Sequence, residues 1–359
     1  MTGTCSMKEG GKGMEHEVVR NQNLLNKKGH IDEEGWARHP LWQYDRSMVK
    51  GGKLKIKEWD YYAIINQQKA YAIALTVSDL GYAALFAIAY VDLRSKKVSQ
   101  SDALSFFPLG KLGLAPSSYE DNHVSWANKK LRLAFIKKGQ ERHLMAACPT
   151  LVLPDGTVGL DIDITLTQKS SSESLNIATS WKEQRKAFYL NEKVNCMPAK
   201  GTVRRGMEVE NLLLGEAWGV LDWGRGRWTY SNTWYWASAS ALVENVPFGL
   251  NLGYGFSDRS PASENAIIYN HVIHKLGEVT FSFDREHPDK DWSIQDKEGH
   301  LKLTFKADVD RSSTTNFLLI KSEQHQYFGT FSGTCHLDDG TVLHFQDVLG
   351  FAEEVYNRW

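Results

Sequence analysis

Asp222, Arg225 and Arg227 lie in the part of this sequence that is richest in side chains capable of chemistry. The segment 217–258 reads AWGVLDWGRGRWTYSNTWYWASASALVENVPFGLNLGYGFSD and holds five of the 12 tryptophans. Arginine binds a carboxylate or a phosphate through two parallel hydrogen bonds, and neighbouring glycines let a ligand come close. We therefore predict a glycine-flanked turn at which Arg225 and Arg227 hold an anionic head group. An internal ion pair from Asp222 to Arg225 or to Arg227 is the alternative interpretation of the same spacing.

Two further carboxylates, Asp258 and Glu264, follow the glycine-rich end of this segment. Together with Asp222 they form the predicted catalytic set, because burial raises the pKa of a carboxyl group and makes it a general acid. Such an acid next to apolar walls can protonate an alkene or an enol, as a hydratase, an isomerase or a cyclase requires. In the alternative interpretation, Asp258 starts a turn and Glu264 is solvated.

Aromatic side chains supply the predicted walls of the site. Trp234 and Trp236 alternate with Tyr235, which is typical of the two faces of a strand. His271 and His274 fall on opposite faces if their segment is also a strand, so the pair does not indicate a metal site. The predicted ligand-binding residues are Trp223, Arg225, Arg227, Trp228, Trp234, Trp236, Tyr254 and His271.

Several function classes lack support in the sequence. The net charge of −1 gives no electrostatic basis for binding nucleic acid or an anionic membrane. The pair Gly224 and Gly226 lacks the third glycine of a dinucleotide fingerprint, no phosphate-binding loop follows, and no GxSxG nucleophile motif occurs. The alternation Asp161, Asp163, Thr165 fits the solvated face of a sheet better than a metal site. We therefore predict no cofactor and no metal.

The elements that must position these residues are predicted to be strands. An aromatic content of 11% with 29 glycines and 9 prolines favours β structure with many turns. Residues 70–79 and 82–93 read as a hairpin, although 83–89 also fits a helix. The turns PDG at 154–156 and DDG at 338–340 predict two more hairpins. A helical turn is predicted near 180–186. The terminal segment is expected to be either a short helix, which the four-residue spacing of Phe351, Val355 and Trp359 fits, or an ordered tail.

These signals predict a mainly β, antiparallel barrel or sandwich with few short helices. Residues 1–22 are expected to be a disordered leader, because the first 14 are small, polar and glycine-rich. Residues 23–175 are expected to form an N-terminal lobe with an ordered arm, and residues 176–359 a C-terminal lobe that carries the tryptophan-rich segment. The polar segment 169–174 (KSSSES) marks this boundary. Neither a secretory signal nor an apolar run long enough to span a bilayer is present, so the expected location is cytoplasmic.

Longer motifs carry a resemblance to a known family. DWGRGRWTYSNTWYWASAS and FGLNLGYGFSDRSPASEN, together with KEWDYYAII, LTVSDLGY, HQYFGTFSG and GFAEEVYNRW, resemble the family DUF2804 of unknown function over 25–359. Its broader relatives are lipocalin-like, two-lobed β proteins that include carotenoid hydratases of the hydroxyneurosporene synthase (CrtC/AttH) type. The resemblance therefore implies a lipocalin-like fold with two related lobes, and by analogy a ligand cavity.

The preferred functional hypothesis is binding of an apolar or amphipathic, lipid-like small molecule with a polar or anionic head. Acid–base conversion of the hydration or isomerisation type, without a nucleotide cofactor, is the catalytic form of this hypothesis. The alternative is a carbohydrate-binding or glycan-acting protein, because tryptophans stack on sugars and paired carboxylates hydrolyse glycosides. A third possibility is a non-catalytic scaffold in which the tryptophans form the core.

Overall fold

The fold consists almost entirely of antiparallel strands arranged in two large sheets. A computed structural model describes residues 15–317 and 320–358. Within these residues the chain forms 24 strands and two short 3-10 helices, Arg46–Met48 and Lys53–Lys55. Strand makes up 64% of the structure and helix 2%, which confirms the predicted mainly β class. The first 14 residues of the expected leader lie outside the described part of the chain.

The first lobe contains a 13-stranded sheet and a separate two-stranded sheet formed by β1 and β3. Its central path runs β7-β6-β5-β4-β15-β13-β11-β10-β9-β8, with β2, β12 and β14 added at the side. The strands are β1 (Gln22–Asn23), β2 (Gly35–Ala37), β3 (Trp42–Gln43), β4 (Ile56–Asn66), β5 (Tyr71–Asp79), β6 (Ala83–Asp92), β7 (Lys97–Phe106), β8 (Asn122–Ala127), β9 (Arg132–Lys138), β10 (Glu141–Val152), β11 (Val158–Thr167), β12 (Leu175–Trp181), β13 (Gln184–Arg205), β14 (Glu208–Leu212) and β15 (Ala217–Arg227).

The second lobe is a nine-stranded sheet in the order β19-β18-β17-β16-β24-β23-β22-β21-β20. Both sheets curl into half-barrels, and each has its own apolar core. The strands are β16 (Ser231–Val243), β17 (Val246–Tyr254), β18 (Ala266–Tyr269), β19 (Val272–Lys275), β20 (Val279–Ser282), β21 (Trp292–Asp296), β22 (Leu301–Phe317), β23 (Ile320–His336) and β24 (Val342–Arg358).

Strands at the centre of the first sheet are buried on both faces. Even-numbered residues of β4 such as Tyr62 and Ile64 pack into the core of the first lobe, while Tyr61 and Ala63 pack against the second sheet. A strand covered on both sides reads as a nearly continuous apolar run, which explains why residues 83–89 gave no clear periodicity. They form β6, which pairs with β5 as the predicted hairpin.

The predicted turns are present, whereas the two segments that fitted a helix are not helical. The PDG turn joins β10 to β11, and the DDG turn joins β23 to β24. Residues 180–186 form the end of β12, a tight turn and the start of β13 instead of a helical turn. The terminal segment is the end of β24. A spacing of four is also a multiple of the two-residue period of a strand, so Phe351 and Val355 share a strand face.

The first 11 residues of the tryptophan-rich segment form a strand, where the sequence predicted a charged turn. Residues 217–227 form β15, which is buried along its whole length between β13 and β4. The chain crosses from the first sheet to the second between Arg227 and Ser231. The polar segment 169–174 is a loop between β11 and β12, which both belong to the first sheet.

The N-terminal arm packs against this framework. Leu24 and Trp42 are buried in the core of the first lobe, and β2 pairs with β12 through Trp36. Val18 is also buried, and the carboxylate of Glu15 pairs with the ammonium group of Lys275 at 2.6 Å. The arm therefore connects the first sheet to residues of the second lobe.

Candidate functional site

A cavity of about 200 Å³ lies between the two sheets. Its first wall is the outer face of β4, β5, β6, β13 and β15, and its second wall is formed by β16, β22, β23 and β24. The volume is many times what a single water molecule needs. The space between the lobes therefore has room for a guest molecule beyond one or two waters.

Strand alternation places one row of polar side chains along each wall. On the first sheet, Asp222 is paired in register with Tyr61 on one side and Lys193 on the other. Because directly paired residues point to the same face, all three reach the cavity. On the second sheet, Glu353 is paired in register with both Trp236 and Gln326. The hydroxyl of Tyr61 lies 3.0 Å from Nε2 of Gln326, so the two rows meet.

Lys193 is the centre of a buried charge cluster on the first wall. Its Nζ lies 3.0 Å from Oδ1 of Asp222, 3.6 Å from Oε2 of Glu264 and 3.8 Å from the ring centroid of Trp236. Asn191 donates a further hydrogen bond of 2.6 Å to Asp222. Burial raises the pKa of Glu264, and the nearby charge of Asp222 adds to this, while Lys193 opposes it. One ammonium group therefore lies within 4 Å of two carboxyl groups.

Glu353 faces this cluster from the second wall. Its Oε1 accepts a 3.0 Å hydrogen bond from the indole N–H of Trp234, and its Oε2 accepts a 3.1 Å bond from Gln326. Burial raises the pKa of Glu353 to about 7, with the charge of Asp222 acting in the same direction. At neutral pH both the acid and the carboxylate form are populated, which is the condition that favours general acid–base catalysis.

A cluster of aromatic rings forms one end of the cavity. Trp228 is its centre, since its ring lies 5.0–5.6 Å from those of five other aromatic side chains. Most of these pairs meet edge to face, the geometry that aromatic rings prefer. We call this group the aromatic cluster: Trp59, Trp181, Tyr189, Trp228, Trp234 and Phe256.

Gly224 makes room for this cluster on β15. A Cβ atom at this position would lie 2.1 Å from Cζ2 of Trp59, so only glycine lets the indole lie over the strand. Gly224 of the DWGRGR motif therefore allows close packing of a ring, in contrast to the turn that the sequence suggested.

Five of the residues singled out from the sequence line the cavity, and they come from both lobes. They are Asp222, Trp228, Trp234, Trp236 and Glu264.

Three other predicted site residues lie on β15 and point away from the cavity. They are odd-numbered, and the odd-numbered residues of this strand face the core of the first lobe. Trp223 packs in that core. Arg225 pairs with Asp60 at 3.0 Å and donates to the carbonyl of Ala115. Arg227 is on the same side, against Gly51. Neither alternative ion pair of Asp222 is formed, since Asp222 contacts Lys193 instead.

Asp258 anchors the loop that carries Phe256 and Glu264. Its carboxylate pairs with Arg185 at 2.8 Å, and its backbone N–H donates to the carbonyl of Ser180. A hydrogen bond from Ser260, together with Arg185, lowers the Asp258 pKa. The side chain therefore remains ionised and is placed to hold the loop rather than to reach the cavity.

Tyr254 and His271 lie away from the cavity. Tyr254 stacks on Tyr235 with ring centroids 4.7 Å apart, and its hydroxyl accepts from the backbone of Phe281. His271 lies in the turn between β18 and β19, where burial lowers its pKa. Among the described residues, no group of three or more His, Cys, Asp or Glu side chains is placed to hold a metal ion.

The structure adds cavity residues that sequence reasoning missed. Lys193 and Glu353 complete the charge cluster, Trp59 and Tyr189 complete the aromatic cluster, and Arg311 also lines the cavity. Glu353 had one available signal, because it stands beside apolar residues in the GFAEEVYNRW motif. Lys193 had a weaker signal, because it and Glu192 are adjacent charges in the middle of the long strand β13.

The comparisons with known proteins identify a family. Residues 15–359 match the family described as "Domain of unknown function (DUF2804)". The chain belongs to this family. The expected resemblance is thereby confirmed over almost the whole sequence, whereas a search of curated proteins finds no significant match.

Solved structures show where the DUF2804 chain belongs among folds. An AttH-like protein from Nitrosomonas europaea superposes with a TM-score of 0.51 at 10% identity, covering 87% of this chain and 95% of that one. CghA in complex with Sch210972 gives 0.48 at 9% identity, covering 84% and 88%. Kievitone hydratase from Nectria haematococca gives 0.45 at 10% identity, also covering 84% and 88%. The two curled antiparallel sheets, together with the match to the AttH-like protein, confirm the predicted two-lobed lipocalin-like fold. No helix in the described residues has the length and hydropathy to cross a bilayer.

Proposed function

We propose that this DUF2804 protein binds an apolar or amphipathic small molecule between its lobes and transfers a proton to it. The observation that carries the proposal is Glu353, a carboxyl group in the wall of an aromatic cavity with a pKa of about 7. Titratable groups with such perturbed pKa values inside a concave apolar site are typical of catalytic positions. Glu353 is the acid in this proposal.

Binding follows from the composition of the walls. The rings of the aromatic cluster, together with Leu85 and Ala87, cover one part of the cavity with apolar surface. Apolar walls favour a guest that is itself largely apolar, because both lose unfavourable contact with water. The polar side chains form one row on each wall, so they would contact only the part of the guest that lies between these two rows.

The groups of the cavity support proton transfer to carbon. The Glu353 O–H would give its proton to one carbon of an alkene or enol, and the π electrons would form the new C–H bond. The cation left on the neighbouring carbon would face the rings of the aromatic cluster, which attract positive charge. Asp222 or Glu264 would then accept a proton from attacking water, giving hydration, or from an adjacent carbon, giving isomerisation.

Lys193 keeps this second function available. Its ammonium group lies against both carboxyl groups, so it would stabilise the negative charge of whichever one acts as the base, and for Glu264 it opposes the rise in pKa that burial causes. Carboxyl groups in different environments thereby take opposite roles at one pH, as acid–base enzymes require.

Binding is tested by filling the cavity. Ser78 lines it and is paired with Trp59 across β4 and β5, so Ser78→Phe should occupy part of the space. Titration with the neutral fluorophore N-phenylnaphthylamine, followed by energy transfer from tryptophan, should show saturable binding to the wild type and much weaker binding to Ser78→Phe. Ser293→Phe, on an exposed position of β21, is the matched control. Equal binding by all three proteins would refute the proposed site.

Catalysis is tested with molecules extracted from the purified protein. After return to the protein in D₂O, the wild type should introduce deuterium at carbon, as measured by mass spectrometry. Glu353→Gln should bind the same molecules and introduce none. If Glu353→Gln exchanges at the wild-type rate, Glu353 is not the acid and the catalytic part of the proposal is wrong.

The carbohydrate alternative finds no specific support in this geometry. Sugar binding by stacking needs flat indole faces open to solvent, whereas Trp228 and Trp236 are 4% exposed. Their rings are occupied by edge-to-face contacts with other aromatic side chains.

A further inference from the structure

The cavity reaches solvent at its polar end. The lining residues that are most exposed are Gln100 on β7 and Ser312 and Ser313 on β22. Nε2 of Gln100 lies 3.4 Å from the carbonyl oxygen of Ser312, so the two strands meet at this point. We call this end the mouth. It lies between the edge strand of the first sheet and the second lobe, on the side away from the aromatic cluster.

Arg311 is the charged residue of the mouth. Its Nη1 donates to Oε1 of Gln326 at 2.9 Å and its Nε to Oε1 of Gln100 at 3.3 Å. Both acceptors are neutral amides, and within residues 15–317 and 320–358 no carboxylate forms an ion pair with this guanidinium. The group is thus held in place without a direct ion pair, and its charge acts on the Glu353 carboxyl group only at longer range. A half-buried guanidinium of this kind is suited to a carboxylate from outside.

The other cations of the cavity are engaged elsewhere. Lys193 is matched by Asp222 and Glu264, and the Lys57 ammonium donates to the backbone carbonyls of Leu54 and Leu80. The inner end carries carboxyl groups, which would repel a second anion. An anionic group on the guest is therefore favoured at the mouth and disfavoured near the aromatic cluster.

We propose that the ligands of this protein are amphipathic carboxylic acids whose carboxylate is bound by Arg311 at the mouth and whose apolar tail points to the aromatic cluster. The inference rests on the proposed function, because it assumes that the cavity takes a guest. A single guanidinium neutralises one negative charge, so a carboxylate fits better than a phosphate monoester with nearly two. Gln326 contacts both Arg311 and Glu353, so the reacting carbon lies close to the head group.

The test compares ligands that differ only in the head group. Decanoic acid, decanol and decyl phosphate are each used to compete with N-phenylnaphthylamine for the protein at about pH 8. The proteins compared are the wild type, Arg311→Gln, Arg311→Lys and the control Arg204→Gln, which changes an exposed residue of β13. We expect the wild type to prefer decanoate. Arg311→Gln should weaken decanoate binding about 10-fold, which corresponds to about 1.4 kcal/mol, and change decanol binding less than about 2-fold. Arg311→Lys should keep part of the preference, and Arg204→Gln all of it.

Each of the other possible outcomes would refute a different part of the proposal. If decanol and the fluorophore bind but Arg311→Gln weakens all ligands equally or none, the head-group inference is refuted while the proposed cavity stands. Tighter binding of decyl phosphate than of decanoate would refute the carboxylate class. If neither the fluorophore nor any of the three ligands binds to the wild type, the proposed function itself fails, and this inference with it. Unchanged circular dichroism of Arg311→Gln shows that the variant is folded.

Discussion

Removing the charge of Glu353 should make the protein more stable at alkaline pH, although the side chain is hydrogen-bonded on both oxygens. The folded-state pKa is raised from 4.5 to about 7, so the folded protein binds this proton more tightly than the unfolded chain does. The stability contributed by the protonated form is present below about pH 4.5 and is lost as the pH rises to about 7. Above that value the folded protein must hold a buried carboxylate.

The magnitude follows from the shift and from the contacts. At about 1.4 kcal/mol per pKa unit, the shift corresponds to a penalty of about 3 kcal/mol at alkaline pH. Glu353→Gln removes this penalty and keeps an acceptor for the Trp234 indole. Its new amide N–H₂ faces the donor group of Gln326, which costs about 1 kcal/mol. The variant should therefore be more stable than the wild type by about 1–2 kcal/mol at about pH 8 and no more stable at about pH 5.

Urea denaturation of both proteins across this pH range measures the difference. Glu354→Gln is the matched control, because the neighbouring side chain points to the other face of β24 and pairs with Arg285 near the surface. Its stability difference from the wild type should lack the rise between about pH 5 and pH 8. A Glu353→Gln variant that is less stable than the wild type at about pH 8, or a difference that does not change with pH, would refute the assignment of a buried, nearly neutral acid.

Three further substitutions test the architecture of the cavity. Gly224→Ala should lower the free energy of unfolding by about 1–3 kcal/mol and shift tryptophan fluorescence, because its Cβ would displace Trp59; unchanged stability and spectrum would show that the ring can move freely. Lys193→Met should lower the free energy of unfolding, measured by chemical denaturation, by about 3–5 kcal/mol, because it leaves Asp222 buried without its cation. A decrease below about 1 kcal/mol would contradict the buried ion pair. Asp258→Asn should weaken fluorophore binding several-fold, because it loosens the loop that carries Phe256 and Glu264. The thermal midpoint should stay within a few degrees of the wild type. Unaltered affinity would show that the Asp258–Arg185 ion pair is not needed for binding.

The fold was predictable because its signals are local. Alternating apolar residues and the turn residues of PDG and DDG specify hairpins without reference to the rest of the chain. The terminal strand was harder, because Phe351 and Val355 satisfy the period of a helix and that of a strand equally. Pairing of β24 between β16 and β23 decides between them, and the pairing with β16 joins residues more than 100 positions apart.

The site was predictable only in part, because neighbours in sequence are separated by strand alternation. Asp222 and Arg225 look like partners in DWGRGR, yet an odd spacing on β15 sends them to opposite faces of the sheet. The partner that Asp222 does have, Lys193, comes from the adjacent strand and is fixed by the register of β13 and β15. Glu353 comes from the other lobe, so its place depends on how the two sheets pack.

A crystal structure of the protein soaked with decanoic acid would show whether a guest occupies the space between the sheets. We expect electron density for the alkyl chain between the two sheets, next to Trp228, with the carboxylate within hydrogen-bonding distance of Arg311 and the chain passing Glu353. Density confined to the protein surface, or an unchanged cavity at saturating ligand with the tryptophan rings closed over it, would contradict the claim that this space binds a guest.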